Sequence, residues 1–223
     1  MASQTIVERY LKQLQEVLPH MPPILPREIE ALHKAKDYEG IVRLIRRTLN
    51  LEADLVVGWV NRGGPKDKPA WIELPPNMPF PGTDAFRKLK LKMFFRKSFL
   101  EESSYDQVAV TVAHELSHIV LDSIRHPLRE EEKAVDLTAM LLGFRLLYRS
   151  ACHKERRSGS TITTHTLGYL SQNEVELVNQ ILALDHRRQK LKAANSGIAQ
   201  YKELLLLGGV VALVATIAYA ASR

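Results

Sequence analysis

The chain has 223 residues, 45% of them apolar and 25% charged, and a formal net charge of +6. That is enough for one domain with a good core plus appendages, and the composition excludes a disordered, collagen-like or disulfide-built protein. The single Cys152 leaves no internal disulfide and fits a reducing compartment.

The opening, MASQTIVERYLKQLQEVL, is interrupted by Glu8, Arg9, Lys12 and Glu16, so no secretory signal is expected, and Ala2 replaces the glycine that myristoylation requires. Ile6, Tyr10, Leu11, Leu14 and Val17 recur at helical spacing and predict a helix over 4–17. After the break MPPILP (21–26), a second helix is expected near 27–35 and a third over 38–49. In the third, Ile41, Leu44, Ile45 and Leu49 lie on one face.

Strand signals follow at ADLVVGWV (53–60), PAWIEL (69–74) and LKMFFRKSFL (91–100), separated by the turn-rich NRGGP and PPNMPFPG. The third strand lies in the densest basic stretch, 86–99. Lys90 and Lys92 alternate there with Leu89, Leu91 and Met93, the pattern of a strand with one solvated face. Such a face could also meet anionic lipid headgroups, whereas no nucleic-acid-binding motif accompanies the charge. The strand is placed to pair with an extended substrate.

Ser104 and Gln107 fit a capping box, and Val108, Val112, Leu116 and Ile119 supply the apolar stripe of the next helix. A further helix is expected over 129–149, then a polar stretch, HKERRSGSTITTHT, and a helix near 172–192. Finally, 204–221 (LLLLGGVVALVATIAYAA) carries no charge. As a helix it would just span a hydrocarbon core, at about 1.5 Å per residue. Lys190, Lys192 and Lys202 precede it, which predicts a single-pass C-terminal anchor with the N-terminal part cytoplasmic.

The fold class expected is α+β: mainly helical, with a small antiparallel sheet before the helix that follows Ser104 and a C-terminal transmembrane helix. Residues 1–50 form an N-terminal helical region, 51–150 the core, 151–202 a polar segment with an accessory helix, and 203–221 the anchor.

The helix after Ser104 contains VAHELSHIVLD (112–122), an H-E-x-x-H pattern. Residues four apart share a helix face, so His114 and His118 can converge on one ion, and Glu115 can hold or deprotonate a water there. A third protein ligand is required. Leu121 and Ile124 stand where a three-histidine pattern needs Gly and His. Asp122, one turn past His118, diverges from the same point, which leaves Glu130, Glu131 and Glu132. Glu130 and Glu131 fit a charged helix N-terminus. Glu132 is favoured because it stands four before Asp136, with Ala139 and Gly143 continuing a small face for close packing. Asp136 could accept the free N–H of a ligand imidazole.

HELSH, followed fourteen residues on by EKAVDLTAMLLG, resembles the gluzincin metallopeptidases. It is similar in particular to the heat-shock and CAAX-type membrane proteases and to the cytosolic metallopeptidases that cut phage or stress-response repressors. The resemblance covers roughly residues 90–145. It implies a zincin-like core holding one Zn2+ per chain through His114, His118 and Glu132, with Glu115 as the base and Asp136 behind the ligands. The activity implied is zinc-assisted hydrolysis of a protein or peptide substrate, cytosolic or membrane-adjacent. His165 and Tyr169 are candidate oxyanion donors, with Tyr148 behind them. The chain departs from the membrane proteases in having one candidate span, and from the repressor-cutting group in having any. The alternative is a non-catalytic membrane-anchored adaptor that keeps the scaffold; a third reading makes the histidines incidental.

Overall fold

A computed structural model describes residues 5–24, 26–65, 68–158 and 161–191, and of 153–158 and 161–166 the backbone alone. The chain divides into two units, Met1–Gln180 and Ile181–Arg223. The described part of the second, 181–191, is helical. The first unit is α+β, mostly helical with a small mixed sheet.

Three helices open it as the periodicity predicts. In α1 (Ile6–Gln15) a reciprocal capping box joins Thr5 and Glu8, and Val7, Tyr10, Leu11 and Leu14 are buried. After α2 (Arg27–Lys34), Asp37 caps α3 (Tyr38–Thr48) by accepting from the Gly40 N–H at 2.8 Å.

The strands β1 (Asp54–Val60), β2 (Ala70–Glu73) and β3 (Lys90–Arg96) form one sheet in the order β1-β3-β2. β3 is therefore the middle strand, and the sheet is not antiparallel throughout. β1 runs parallel to β3, Asp54 opposite Lys90, while β2 runs antiparallel to it, Ala70 opposite Phe95. The long link from β1 to β3, with β2 and the short α4 (Asp84–Arg87) inside it, supplies the crossover that a parallel pair needs. Alternation in β3 is as expected: Leu91, Met93 and Phe95 are buried, Lys90 and Lys92 exposed. Its backbone pairs on both sides, so it cannot accept an extended substrate; β1 and β2 are the edges. Nor does it reach residue 100, because Lys97–Glu102 form α5.

α6 (Tyr105–Ser123) is the axis of the unit. Ser104 and Gln107 make the expected capping box, and fourteen of its residues are buried, on every side rather than on one stripe. Helices α2, α3, α7 and α8 and strand β2 pack around it. The expected 129–149 helix is in fact two. α7 (Glu132–Ala139) ends at a break where Gly143 has φ +108°, and α8 is Arg145–Ala151. The break exists because the MPPILP segment docks there: Met21 N–H donates to Leu141 O and Ile24 N–H to Gly143 O, both at 3.0 Å. An added Cβ on Gly143 would lie 2.8 Å from Pro22 O, so this glycine serves the break and not close packing on α6.

The polar stretch forms an antiparallel pair, β4 (His153–Ser158) and β5 (Thr161–Thr166). A last helix, α9, covers 172–180 in this unit. Ser171 and Glu174 cap it reciprocally, and Lys133–Glu174 (2.6 Å) and Arg149–Glu176 (3.0 Å) tie it to α7 and α8. Among the described residues no helix is long and apolar enough to cross a membrane; the 204–221 segment lies outside them.

Candidate metal centre

His114 and His118 stand one turn apart on α6, with ring centroids 5.0 Å apart and planes at 84°. Glu132, the first residue of α7, reaches across to both. Its Oε2 lies 3.1 Å from His114 Nε2 and 3.4 Å from His118 Nε2. This oxygen is buried and lies within ion-pair distance of both imidazoles, without good hydrogen-bond alignment to either. Two imidazole nitrogens and a carboxylate oxygen thus converge on one small volume. Tetrahedral zinc with bonds of about 2.0–2.1 Å separates its ligand atoms by about 3.3 Å, close to the two spacings from Glu132 Oε2. These three residues could hold a metal ion, and the donor set fits zinc chemistry.

Asp136 supports the cluster from beneath. Its side chain is fully buried and bonds with three groups: Oδ1 lies 2.8 Å from His114 Nδ1 and accepts from Tyr148 Oη at 2.8 Å, and Oδ2 accepts the Tyr169 backbone N–H at 2.6 Å. With Nδ1–H donating to this carboxylate, Nε2 is the His114 nitrogen that faces the cluster. Burial opposes charge on His114, but Asp136 and Glu132 outweigh it and push the metal-free imidazole's pKa up to about 10. The imidazoles of His114 and His118 in turn hold Glu132 far below the ordinary carboxylate range.

The cluster opens on a cleft of about 210 Å³, among whose lining residues are Lys68, Ala70, Thr111, His114, Glu115 and Tyr169. Burial pushes the Glu115 carboxyl up, with the two histidines and Lys68 pulling against it. Thr111, one turn before Glu115, is buried with its hydroxyl unpaired.

Each candidate from the sequence has a definite place. His114, His118 and Glu132 come together, Glu115 faces the same cleft, and Asp136 lies behind His114. Tyr169 stacks on His114 at 5.6 Å with its planes 22° apart, and burial and the nearby Glu132 raise its phenol pKa. Tyr148 is committed to Asp136 and fully buried, so its hydroxyl is not in the cleft. His165 pairs with Lys154 in the β4–β5 ladder; its side chain is outside the described set. Asp122 faces Arg129 at 3.6 Å and Glu130 faces the same arginine at 3.3 Å.

Two participants escape sequence reasoning. Lys68, whose Nζ donates to Glu132 Oε1 at 3.4 Å, sits between a turn signal and a short strand and carries no motif. Gly168, at φ +87°, lets the 168–169 backbone reach Asp136; an added Cβ would lie 3.0 Å from Oδ2. The only signal for it is the Gly-Tyr pair in THTLGYL. No protein-family model, no curated protein and no solved structure matches the chain.

Proposed function

We propose that this chain is a zinc-dependent metallopeptidase built on a minimal zincin-like core and tethered to a membrane through residues 204–221. The observation that carries the reading is the convergence of Glu132 Oε2 on both imidazole Nε2 atoms, beside a carboxyl that lines the same cleft.

Zinc at this position would polarise a peptide carbonyl and acidify water, supplying the electrophile and the nucleophile of hydrolysis. The remaining work falls to the chain. Asp136 holds the His114 proton on Nδ1 and so keeps Nε2 directed at the ion. Glu115 takes a proton from water and returns it to the leaving nitrogen. Its burial serves this, because a carboxyl with a raised pKa is closer to the balance point between acceptor and donor near neutral pH. Tyr169 at the rim is the candidate to donate a hydrogen bond to the developing oxyanion, with His165 as the alternative. The cleft admits a peptide segment of a cytosolic or membrane-adjacent protein. The uncharged 204–221 segment with lysines before it supports the anchor and a cytoplasmic domain, and the exposed Lys90 and Lys92 suit contact with anionic headgroups.

The test is the full chain in detergent beside its Glu115→Gln variant, measuring bound zinc and cleavage of a peptide library. One zinc in each, with cleavage reduced at least about a hundredfold in the variant, is expected from loss of the general base. Zinc in both with cleavage by neither would make the chain an anchored adaptor with a zincin-like scaffold. No zinc in the folded wild type would overturn the metal reading.

A further inference from the structure

The Glu132 carboxylate is divided between two environments. Oε2 is the buried oxygen aimed at His114 and His118, while Oε1 accepts a hydrogen bond from Lys68 Nζ at 3.4 Å. An exposed lysine–glutamate pair is ordinarily worth little to stability. This one differs in what holds the lysine and in what the glutamate faces.

Lys68 is seated by the end of β3. Arg96 Nε donates to Lys68 O at 2.8 Å, Arg96 Nη2 donates to Pro65 O at 2.6 Å, and the Arg96 backbone N–H donates to Pro69 O at 3.0 Å. The same guanidinium lies 5.8 Å from the centre of the Trp71 ring on β2. One arginine thus fixes the chain on both sides of Lys68 and sets the ammonium over α7's first residue. Glu132 needs such a hold. It opens a helix of only eight residues, whose N-cap, Glu131, makes no side-chain capping bond.

We propose that Lys68 is a positioning residue of the metal centre: by engaging Oε1 it leaves Oε2 alone to face the ion, so that Glu132 binds through one oxygen and a coordination position stays open to the cleft. This rests on the metal reading above. A carboxylate can coordinate through one oxygen or both, and a cation on Oε1 competes for the second mode. An open fourth position is what separates a catalytic zinc site from a structural one. Arg96 acts one step further back, by placing Lys68.

The test uses the full chain with Co2+ as the probe, comparing wild type, Lys68→Met and Lys68→Arg. Affinity comes from competition with a chelator, and coordination number from the intensity of the visible absorption bands. The expected result is one Co2+ per wild-type chain with four-coordinate intensity. Lys68→Met should bind about tenfold more weakly, as loss of a group behind a ligand does, with weaker, five-coordinate bands. Lys68→Arg should recover part of both. Lys68 is partly exposed, so the urea midpoint of the metal-free chain should barely move in Lys68→Met. A fall in that midpoint with an unchanged spectrum would mark the lysine as structural and overturn the proposal. So would equal affinity and equal spectra while wild type binds one ion. A wild-type chain that binds no Co2+ would overturn the metal reading, and this proposal with it.

Discussion

The two helices that bring the candidate ligands together are built in opposite ways. α6 is nineteen residues long, unbroken, capped at its start and buried on every side. α7 is eight residues long, lacks a side-chain cap and is followed, four residues on, by a glycine in the left-handed region. The first holds His114, Glu115 and His118 by its own backbone repeat, whatever surrounds it. The second holds Glu132 and Asp136 only because other segments hold it: the hydrogen bonds to Asp136, the ion pair of Lys133 with Glu174, and the docking of 21–24 on 141–143. A candidate metal centre assembled this way has one rigid wall and one that tertiary contacts maintain.

Substitution on the α7 side should break this contrast most sharply. Asp136→Ala removes a fully buried carboxylate and strands the Tyr148 hydroxyl, the His114 Nδ1–H and the Tyr169 N–H. A loss of about 3–5 kcal/mol in urea unfolding is expected, together with much weaker metal binding. A small loss would mean that α7 is held by something other than Asp136.

Gly143→Ala should come next. The new Cβ would press on the Pro22 carbonyl at 2.8 Å and the backbone would sit at φ +108°, so a cost of about 2 kcal/mol is expected by the same measurement. Binding of zinc should recover part of it, since an ion bound to both helices stabilises their folded arrangement. An unaltered midpoint would show that the break between α7 and α8 tolerates a side chain.

The smallest effect, counted per unit, is graded with pH. In the metal-free chain His114 holds its proton up to a pKa of about 10, against an ordinary value of 6.5, so an ion must displace that proton. For this site alone, affinity should rise by about tenfold for each unit from pH 6 to 8 and flatten only above the raised pKa. Chelator competition at several pH values checks the slope. A flat profile would show that Asp136 and Glu132 do not hold a proton on His114.

The same contrast separates what could be read early from what could not. The α6 residues were legible because a four-residue spacing on a helix dictates a shared face. Glu132 and Asp136 were legible as a pair for the same reason, although the helix expected to carry them was too long. Gly143, read as part of a packing face, is a breaker because the distant MPPILP segment needs the backbone there. The strands at 53–60 and 69–74 were found to within a residue or so, yet their pairing was not. NRGGP has the composition of a hairpin turn, but the strands it joins lie on opposite sides of β3. Lys68 carried no signal at all, since an isolated lysine before a short strand is indistinguishable from a solvated one until Arg96 and Glu132 are in place.

By itself, then, the order of residues determined the periods: three amphipathic helices, the alternation in β3, the start of α6, and the shared face of His114 and His118. These follow from backbone geometry within a few turns, which every local stretch carries with it. Only the tertiary structure decided strand order, the break after α7, the burial of Tyr148 against Asp136 and the hold of Lys68 on Glu132. Those contacts join residues from twelve to 120 positions apart, so their geometry exists only once the chain has closed around α6.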